Sequence, residues 1–493
     1  MSDLGTVDLL IVGGGINGCG IARDAAGRGL SVILCEKGDL AQGTSSRSGK
    51  YIHGGLRYLE YYEFRLVREA LNEREVLLRA APHIIWPMRL VLPHSPDQRP
   101  AWMLRLGLFL YDHLGKRQTL PGCRTLDLRT APEGKALRDG FTRGFEYSDC
   151  WVDDARLVVL NAVDAAERGA KIMTRMAATS ARREDGLWHV TMKGPKGEAT
   201  AKARILVNAA GPWVEDVLGR VSGVNAKRRV RLVKGSHIVT KKFWDGPQAY
   251  LLQHTDKRVI FVNPYQDNLT LIGTTDIPYE GRAEDVAIDE SEKRYLMESV
   301  NRYMKHQLKP DDIIYSFSGV RPLYDDNAAN PSAVTRDYVF DIDTTGGAPL
   351  LSVFGGKITT YRRLAEHALE KLKAHLPMKP AWTADAHLPG GDLLNGFNSF
   401  ESNLEVRYKA FPAPLIHHYA RLYGTRAHDL LDGVEQPSDL GRHFGGLLYE
   451  KEINYLRDKE WALTAEDILD RRTKHGLHLS QKERDSVRDF IGE

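Results

Sequence analysis

The N-terminal part of the chain alternates between short apolar runs and helical patterns. Residues 7–12 form an apolar run that leads directly into three consecutive glycines, Gly13 to Gly15. A helical pattern then extends to about Arg28, and residues 30–35 form a second apolar run. Short apolar runs bounded by turn residues are typical of buried strands, so this pattern predicts a β-turn-α-β unit.

The pattern changes twice further along the chain. A helix predicted from Asp154 leads to strands near 170–175, 178–183, 187–193 and 205–209. Between about 229 and 276, consecutive short strands alternate with polar turns, which predicts an antiparallel sheet. A helix over 288–308, with Asp289 as a possible N-cap, is predicted to cover that sheet.

The end of the chain returns to a strand and then becomes helical. Residues 350–354 form an apolar run that leads into Gly355 and Gly356, and the chain is helical after Pro377. We therefore predict an α/β fold with three domains. These are a discontinuous nucleotide-binding domain (1–228 and 340–384), an antiparallel substrate domain (229–339) and a C-terminal helical domain (385–493).

Composition narrows the class of protein. The chain has 493 residues and a net charge of +3, with 27% charged and 42% hydrophobic residues, as in ordinary soluble globular proteins. Basic residues are interspersed with acidic ones, so nucleic acid is not expected as a partner. The four cysteines are far apart in the sequence, which predicts neither a zinc site nor a disulfide framework and suits a reducing compartment.

Targeting and membrane-spanning segments are not expected. The N-terminus has no basic region followed by a long apolar stretch, so no signal peptide is predicted. No uninterrupted apolar run approaches the ~18 residues of a spanning helix. The predicted location is the cytoplasm, or the cytoplasmic face of the inner membrane.

A dinucleotide-binding fingerprint occupies the first unit. Gly13, Gly15 and Gly18 fit the pattern G-x-G-x-x-G between a strand and a helix, which allows a tight turn, close approach of a pyrophosphate and close helix packing. Glu36 ends the second strand at the distance expected of a ribose-binding acid. Strand, glycines, helix, strand and acid in this order predict a nucleotide site, although they do not separate NAD from FAD.

Three later stretches favour FAD. Residues 44–50 (TSSRSGK) are a hydroxyl-rich loop, residues 208–211 (NAAG) end a strand, and residues 350–361 (LLSVFGGKITTY) combine a strand, two glycines and a helix start. That helix start offers a positive dipole end to an anionic flavin ring. Each stretch alone is typical of an ordinary βα turn. The predicted FAD-binding residues are Gly13, Gly15, Gly18, Glu36, Thr44, Ser45, Lys50, Gly211, Gly355, Gly356, Lys357 and Thr359.

Several longer stretches together resemble one family. They include GGGINGCGIARDAAGRGLSV, TSSRSGKYIHGGLRYLEYYEFRLV, KGSHIV, IGTTD, SGVRPL, TRDY and LSVFGGKITTYRRLAEHALEKL. Over nearly its whole length the chain resembles the respiratory, FAD-dependent sn-glycerol-3-phosphate dehydrogenases. The resemblance implies a Rossmann-like FAD domain of the glutathione-reductase type. It also implies oxidation of glycerol 3-phosphate to dihydroxyacetone phosphate, transfer of electrons to a membrane quinone, and a homodimer.

The resemblance also indicates where the phosphate would bind. A phosphate dianion is well matched by several guanidinium groups, each of which makes two charge-assisted hydrogen bonds. Arg57 with neighbouring Tyr58, Arg321 and Arg336 lie at family motifs, and the resemblance implies that they line the cavity over the flavin. The competing interpretation is ordinary ion pairs, such as Arg336 with Asp337 or Asp341.

Oxidation of an alcohol requires a base for its proton. His237 matches the family's active-site histidine and has an ordinary pKa near neutrality. His53 or an arginine-assisted route are rivals, and a histidine packed in the sheet is the structural alternative. Lys357 is predicted to stabilise the reduced flavin or the substrate oxygen. Asp276 is predicted to orient His237 or Lys357, or else it is a turn residue.

Residues 99–117 (RPAWMLRLGLFLYDHLGKR) form a helix-like stretch rich in apolar and aromatic residues with basic flanks. Such a helix suits an anionic headgroup layer, and a mostly buried helix is the alternative. Composition does not decide between them. The resemblance implies attachment to one membrane leaflet, so we predict membrane contact there.

Two other functions remain open. A soluble glycerol-3-phosphate oxidase that reduces oxygen shares the fold, cofactor and arginines, but such oxidases typically carry an inserted segment for which the motif spacing leaves no room. The other is a nucleotide-binding fold used for RNA modification or as a scaffold. That class predicts a concentrated basic surface and an empty substrate cavity.

Overall fold

The computed structural model describes residues 2–220, 224, 228–325 and 337–493. The strands are β1 (Ser2–Val12), β2 (Val32–Cys35), β3 (Tyr51–Ile52), β4 (Ile85–His94), β5 (Arg124–Asp127), β6 (Arg143–Val152), β7 (Lys171–Met173), β8 (Ala177–Glu184), β9 (Leu187–Gly194), β10 (Gly197–Asn208), β11 (Val230–Lys241), β12 (Ala249–Gln253), β13 (Val259–Tyr265), β14 (Leu269–Gly273), β15 (Ile277–Pro278), β16 (Tyr315–Tyr324), β17 (Val339–Asp343), β18 (Leu350–Phe354), β19 (His443–Gly445) and β20 (Leu448–Tyr449).

The helices follow the same chain order. They are α1 (Ile16–Gly27), α2 (Phe64–Ala80), α3 (Ala101–Leu114), α4 (Asp154–Glu167), α5 (Val214–Arg220), α6 (Glu290–Asn301), α7 (Tyr361–Leu372), α8 (Phe397–Arg407), α9 (Ala413–Tyr423), α10 (Ala427–Leu430), α11 (Glu450–Glu460) and α12 (Gln481–Ile491). None of the helices in the described ranges is long and apolar enough to cross a bilayer.

The first sheet contains the predicted nucleotide-binding unit. Its order is β17-β18-β10-β1-β2-β7, with β1 parallel to both β10 and β2, and β10 parallel to β18. Helices α1, α4 and α7 pack on one face, and the β8–β9 hairpin and α5 contribute to the core on the other. The carboxyl ends of β1, β10 and β18 therefore lie side by side, and ligands of such sheets bind at this edge.

The second sheet faces this edge. Its order is β15-β11-β14-β13-β12-β4-β6-β3, with β16 paired to β11 and β5 paired to β6. Its strand pairs are antiparallel except for the parallel pair of β4 and β12. Helix α6 packs against it, and Asp289 forms the predicted N-cap with Glu292 as its capping-box partner.

The second sheet extends beyond the range predicted for the substrate domain. Strands β3 to β6 come from residues 51–152, which the sequence analysis assigned to the nucleotide-binding domain. Pro87, Pro93 and Arg89 in β4 interrupt the apolar pattern by which a strand is recognised. The exact domain boundaries stay a prediction.

The C-terminal helices form a separate core that docks through buried charges. Leu404, Tyr419 and Ile453 belong to this core. At the interface, the Arg156 guanidinium on α4 bonds the Glu460 carboxylate and donates to the Leu422 carbonyl oxygen at 2.9 Å. Arg156 and Glu460 are 0% and 2% exposed, so neither charge has water as an alternative partner.

This pair predicts a large effect of Glu460→Ala on stability. Removing one member of a buried pair strands the other charge, which costs about 3–5 kcal/mol. The measurement is urea-induced unfolding of the FAD-bound protein. The matched control is Glu167→Ala, which removes the partner of Arg426 across the same interface, where the side chains are 43% and 38% exposed. Exposed pairs contribute about 0–1 kcal/mol, so equal losses in the two variants would contradict the interpretation.

Candidate active site

A cavity of about 1270 Å³ lies between the carboxyl edge of the first sheet and the second sheet. It contains both the predicted cofactor residues and the predicted substrate residues. Of the residues predicted from sequence, it is lined by Gly13, Gly15, Glu36, Thr44, Ser45, His53, Arg57, Tyr58, Gly211, His237, Asp276, Arg321, Gly355, Gly356, Lys357 and Thr359. The structure therefore brings residues from distant parts of the chain to one site.

The glycine turn leaves no room for side chains. Gly13 has φ of +118°, and a Cβ there would lie 2.5 Å from the Ala209 carbonyl oxygen of the neighbouring strand end. A Cβ on Gly18 would lie 1.9 Å from the Gly13 carbonyl oxygen. Gly18 does not line the cavity; it allows α1 to start directly against the turn, which is the packing role expected of the third glycine.

Glu36 is held by the same turn. Its two carboxylate oxygens accept hydrogen bonds from the Gly14 amide at 2.6 Å and the Gly38 amide at 2.7 Å. Desolvation by burial raises the pKa of Glu36, and the two amide hydrogen bonds oppose that rise. A carboxylate has about four acceptor positions, so two remain for the vicinal hydroxyls of a ribose.

The remaining cofactor residues close the nucleotide end of the cavity. Ser45 accepts a hydrogen bond from the Ile16 amide at the start of α1 (3.0 Å), and Thr44 donates to the Val320 carbonyl oxygen of the second sheet (2.7 Å). Gly356 has φ of +100°, and a Cβ there would lie 3.0 Å from the side-chain Nδ2 atom of Asn17. These contacts fix the loop, the helix start and the second glycine pair against one another.

Asn17 is a site residue that the sequence analysis missed. Its side chain lines the cavity and donates to the Gly355 carbonyl oxygen at 3.2 Å. Among the described residues, its buried Oδ1 atom has no hydrogen-bond partner. A buried acceptor of this kind fits a donor supplied by a bound group. Asn17 occupies a variable position of the G-x-G-x-x-G pattern, so the pattern carries no signal for it.

Together these residues fit a dinucleotide such as FAD. The glycines provide a backbone cradle that any side chain would fill, α1 presents its N-terminus there, and Glu36 offers acceptors for a ribose. Lys357 is the N-cap of the 3₁₀ turn Ile358–Thr360, which leads into α7. That second helical start lines the same cavity, and its place at the flavin end stays a prediction.

The structure does not support one of the predicted site residues as a ligand, and it does not describe another. Lys50 is buried, is not among the lining residues, and donates to both Asp154 carboxylate oxygens and to the Ser46 carbonyl oxygen, each at 2.7 Å. This geometry does not support Lys50 as a cofactor ligand; its ammonium instead ties the hydroxyl-rich loop to α4. The other, Arg336, lies outside the described residues.

His237 lies on the inner face of the second sheet. It is 2% exposed and stacks on Phe317, with ring centroids 4.8 Å apart. It pairs with Gly273 across β11 and β14, where a Cβ would lie 2.1 Å from the imidazole, so the glycine makes room for the ring. Within the described part of the chain, neither ring nitrogen has a hydrogen-bond partner.

The surroundings of His237 keep its imidazole neutral. Burial lowers its pKa well below the ordinary 6.5, and the positive charges of Lys50 and Arg321 lower it further. The predicted orienting contact from Asp276 is therefore not its main electrostatic influence. One nitrogen of a neutral imidazole carries a lone pair, so this ring at the wall of the cavity can accept a proton.

Arg321 and Asp276 form an ion pair beside His237. The Arg321 guanidinium bonds Asp276 Oδ1 at 2.8 Å and Thr274 Oγ1 at 3.1 Å. It crosses the backbone of Gly235, where a Cβ would lie 2.7 Å from its Nη2 atom. Asp276 therefore orients an arginine, whereas the sequence analysis expected it to orient His237 or Lys357.

Arg57, Tyr58 and Lys357 line the cavity from two other segments of the chain. Among the described residues, the Arg57 guanidinium has no ion pair or hydrogen bond, although it is half-buried on the 3₁₀ helix Leu56–Tyr61. The Lys357 ammonium lies 3.9 Å from the centroid of the Tyr58 ring. The His53 amide donates to Thr359 Oγ1 at 3.2 Å, which links this segment to the second glycine pair.

The predicted membrane segment forms an exposed apolar face beside the cavity. Helix α3 buries Leu108 and Tyr111. Exposed large apolar side chains on α3 and on residues 61–64, at the start of α2, form what we call the apolar face: Tyr61, Tyr62, Phe64, Trp102, Met103, Leu106 and Phe109. Tyr61 and Leu104 also line the cavity. The alternative of a mostly buried helix is therefore wrong.

Comparison with known proteins defines the class. A family model for FAD dependent oxidoreductases matches residues 8–362, and one for the C-terminal domain of alpha-glycerophosphate oxidase matches residues 381–491. Among solved structures, the glycerol-3-phosphate dehydrogenase from Bacillus halodurans complexed with FAD is similar with a TM-score of 0.77 and 26% identity, covering 99% of this chain and 94% of that one. The chain belongs to the FAD-dependent oxidoreductase family.

Curated relatives place the resemblance more narrowly. The chain is 64% identical over 488 residues to D-erythritol 1-phosphate dehydrogenase from Brucella abortus, covering 98% of this chain and 97% of the relative. It is 52% identical over 492 residues to aerobic glycerol-3-phosphate dehydrogenase from Escherichia coli, covering 99% and 98%. The predicted resemblance to aerobic glycerol-3-phosphate dehydrogenases, the predicted fold and the FAD cofactor are confirmed.

Proposed function

We propose that the protein oxidises the secondary alcohol next to the phosphate-bearing carbon of a short polyol phosphate. The observation that carries the proposal is the shared cavity, in which a dinucleotide cradle meets Arg57, Arg321, Lys357 and a neutral His237. sn-Glycerol 3-phosphate, the substrate predicted from the sequence, gives dihydroxyacetone phosphate in this reaction.

The cationic side chains suit the phosphate. Arg57 is half-buried and makes no ion pair with a described residue, so its fork of donors is available to an anion. Arg321 keeps its orientation through Asp276 and Thr274. Asp276 neutralises the charge of Arg321 but not that of Arg57 or Lys357, so the cavity retains the positive potential that a dianion requires.

His237 suits the base. Oxidation removes a hydride from carbon and a proton from its hydroxyl, and the products are a ketone, a reduced cofactor and a protonated base. When bound, FAD supplies the hydride acceptor. The imidazole is neutral, buried and unpaired within the described residues, and it faces the same cavity as the arginines. His53, which also lines the cavity, remains the rival base.

D-Erythritol 1-phosphate is a second candidate substrate. The higher identity to a D-erythritol 1-phosphate dehydrogenase, 64% against 52% for the aerobic glycerol-3-phosphate dehydrogenase, favours it. The tetritol presents the same phosphate and neighbouring secondary hydroxyl and adds one carbon. The proposed arginines and base therefore serve either substrate. The preference between the two substrates depends on the part of the cavity that holds the end of the polyol away from the phosphate.

A membrane quinone is the proposed electron acceptor. The apolar face adjoins the cavity at Tyr61 and Leu104, so a lipid-soluble acceptor would approach the site without crossing water. Attachment of the apolar face to the cytoplasmic leaflet of the inner membrane is part of this proposal. A soluble oxidase is the weaker alternative: the C-terminal family model takes its description from an oxidase, but the two curated relatives named above are dehydrogenases over nearly the whole chain. The homodimer stays a prediction from resemblance.

Flavin reduction by the two polyol phosphates tests the proposal. We expect glycerol 3-phosphate or D-erythritol 1-phosphate to bleach the flavin spectrum of the purified protein, and kcat/KM to rank them. Arg57→Ala is expected to raise KM about 10- to 100-fold with FAD retained, because a hydrogen bond to a charged group contributes about 1.5–3 kcal/mol.

The matched control is Arg182→Ala, an arginine that is 68% exposed on the outer hairpin. We expect its KM to equal that of the wild type. Bleaching by neither polyol phosphate would refute the proposed reaction. Unchanged kinetics in Arg57→Ala would remove only that arginine from the site.

The lowered pKa of His237 predicts a pH profile. A base acts only when unprotonated, so activity falls as the pH falls through its pKa, and burial places that pKa well below 6.5. We expect kcat/KM to be flat from about pH 6.5 to 8, above the second ionisation of the substrate phosphate near about 6. His237→Asn is expected to lower kcat about 10²- to 10⁴-fold with FAD content unchanged. An acidic limb near pH 7 in the wild type, or near-normal turnover in the variant, would assign the proton to another group.

The apolar face predicts vesicle binding. Replacing Trp102, Leu106 and Phe109 by serine is expected to abolish co-sedimentation with anionic phospholipid vesicles and to lower quinone reduction, while reduction of a soluble dye is retained. The matched control replaces two other exposed apolar side chains, Leu394 (84% exposed) and Val406 (76% exposed), by serine. Equal sedimentation of both variants would show that the apolar face is not the attachment site.

A further inference from the structure

The C-terminal domain contains a second cluster of chemically active side chains. His418 lies on α9, Glu452 on α11, and His475 begins a 3₁₀ turn before α12. None of the three lines the large cavity, and the proposed oxidation does not use them. Their side chains are 11%, 0% and 7% exposed.

One potential ligand atom of each residue faces a common point. His418 Nε2 lies 2.8 Å from Glu452 Oε1, the two histidine Nε2 atoms are 3.2 Å apart, and His475 Nε2 lies 3.7 Å from Glu452 Oε2. All the candidate ligand atoms lie within 4.8 Å of one another. A tetrahedral ion with bonds of about 2.0–2.1 Å places its ligand atoms about 3.3 Å apart, which is the middle of the observed range.

Hydrogen bonds alone leave this cluster incomplete. Two imidazole Nε2 atoms in contact share at most one proton between them if both rings are neutral. Glu452 is fully buried, and its Oε2 atom has no hydrogen-bond partner among the residues that the structure describes. A buried carboxylate oxygen without a donor is costly, and it points to a positive ligand at the cluster.

We propose that His418, Glu452 and His475 bind a divalent first-row transition-metal ion, with Zn²⁺ the best match. Two imidazoles and one carboxylate are ligands that such ions prefer, and three protein ligands leave a fourth position for water. Tyr423 donates to Glu452 Oε1 at 2.7 Å and so orients the carboxylate as an outer-shell partner. The spacing of these residues is not that of a known metal-binding motif, because His418 is 34 residues from Glu452 and 57 from His475.

The position of the site assigns it a role in domain docking. His475 follows Lys474, whose buried ammonium bonds Asp153 at the start of α4. Two residues further back, Arg472 bonds both carboxylate oxygens of Asp39, next to the cofactor cradle. An ion that joins this turn to α9 and α11 would fix the segment that carries these contacts to the FAD-binding domain.

Metal uptake by the FAD-bound protein tests the proposal. The protein is prepared without a histidine tag, treated with a chelator and titrated with Zn²⁺ alone or Co²⁺ alone. We expect one equivalent of either ion, the intense visible absorption of tetrahedral Co²⁺, and a Tm that rises with Zn²⁺. A wild type that takes up no Zn²⁺ at about 100 µM would overturn the proposal, since structural zinc binds far more tightly.

Variants locate the ion. His475→Ala and Glu452→Gln are expected to lower Zn²⁺ affinity at least about 100-fold, which is the upper end of outer-shell effects. The matched control is His417→Ala, because His417 is adjacent to His418 but is 44% exposed and pairs with Glu401. Equal uptake by all three variants would overturn the assignment. If the buried variants do not fold, the wild-type stoichiometry and Co²⁺ spectrum decide.

Discussion

The active site depends on backbone segments that approach so closely that side chains must be absent. Gly13 meets the Ala209 carbonyl oxygen at the end of β10, and Gly18 meets the Gly13 carbonyl oxygen, at distances that exclude a Cβ. Gly355, at the end of β18, similarly faces the Asp337 carbonyl oxygen. Three parallel strand ends are thereby brought together with two helix starts. This convergence creates a cradle of backbone donors and fixes where the rest of the site must meet the cofactor.

The second sheet supplies the proposed base and a positive charge that is held in place by an ion pair. His237 and Arg321 are on adjacent strands, and glycines at 273 and 235 leave space for their side chains. Lys50 affects this region through charge, since its ammonium is among the groups that lower the pKa of His237. Lys50 was predicted to bind the cofactor, but it thus affects the proposed base through its charge. A phosphate dianion near Arg321 would offset this positive field and make the imidazole a stronger base in the complex.

The local parts of the fold could be predicted from the sequence, and the long-range parts could not. The fingerprint, β11 to β14 and the Asp289 cap have short-range signals, namely glycine spacing, alternation and a capping box. Strands β4 to β6 were missed because prolines or charged residues interrupt them, and β3 has only two residues. Their place in the second sheet depends on pairings that are distant in the chain, such as Tyr51 with Trp151 and Leu90 with Ala249. Arg57 and Arg321 were found through motifs, whereas Asn17 has no motif. Its role appears only where the helix start meets Gly355.

The C-terminal domain, like the active site, depends on close contacts between distant parts of the chain. In the active site glycines make these contacts possible, whereas at the domain boundary buried ion pairs form them. Arg156, Arg472 and Lys474 are buried cations that lie against carboxylates across the domain boundary. Buried pairs of this kind contribute little net stability compared with apolar residues, but they strongly penalise any misaligned docking. Asp39, which accepts from Arg471 and Arg472, lies three residues after Glu36 in the chain, so docking of the C-terminal helices holds the loop that follows the predicted ribose-binding carboxylate. The helical domain therefore contacts the segment next to the nucleotide cradle, although none of the proposed catalytic residues comes from it.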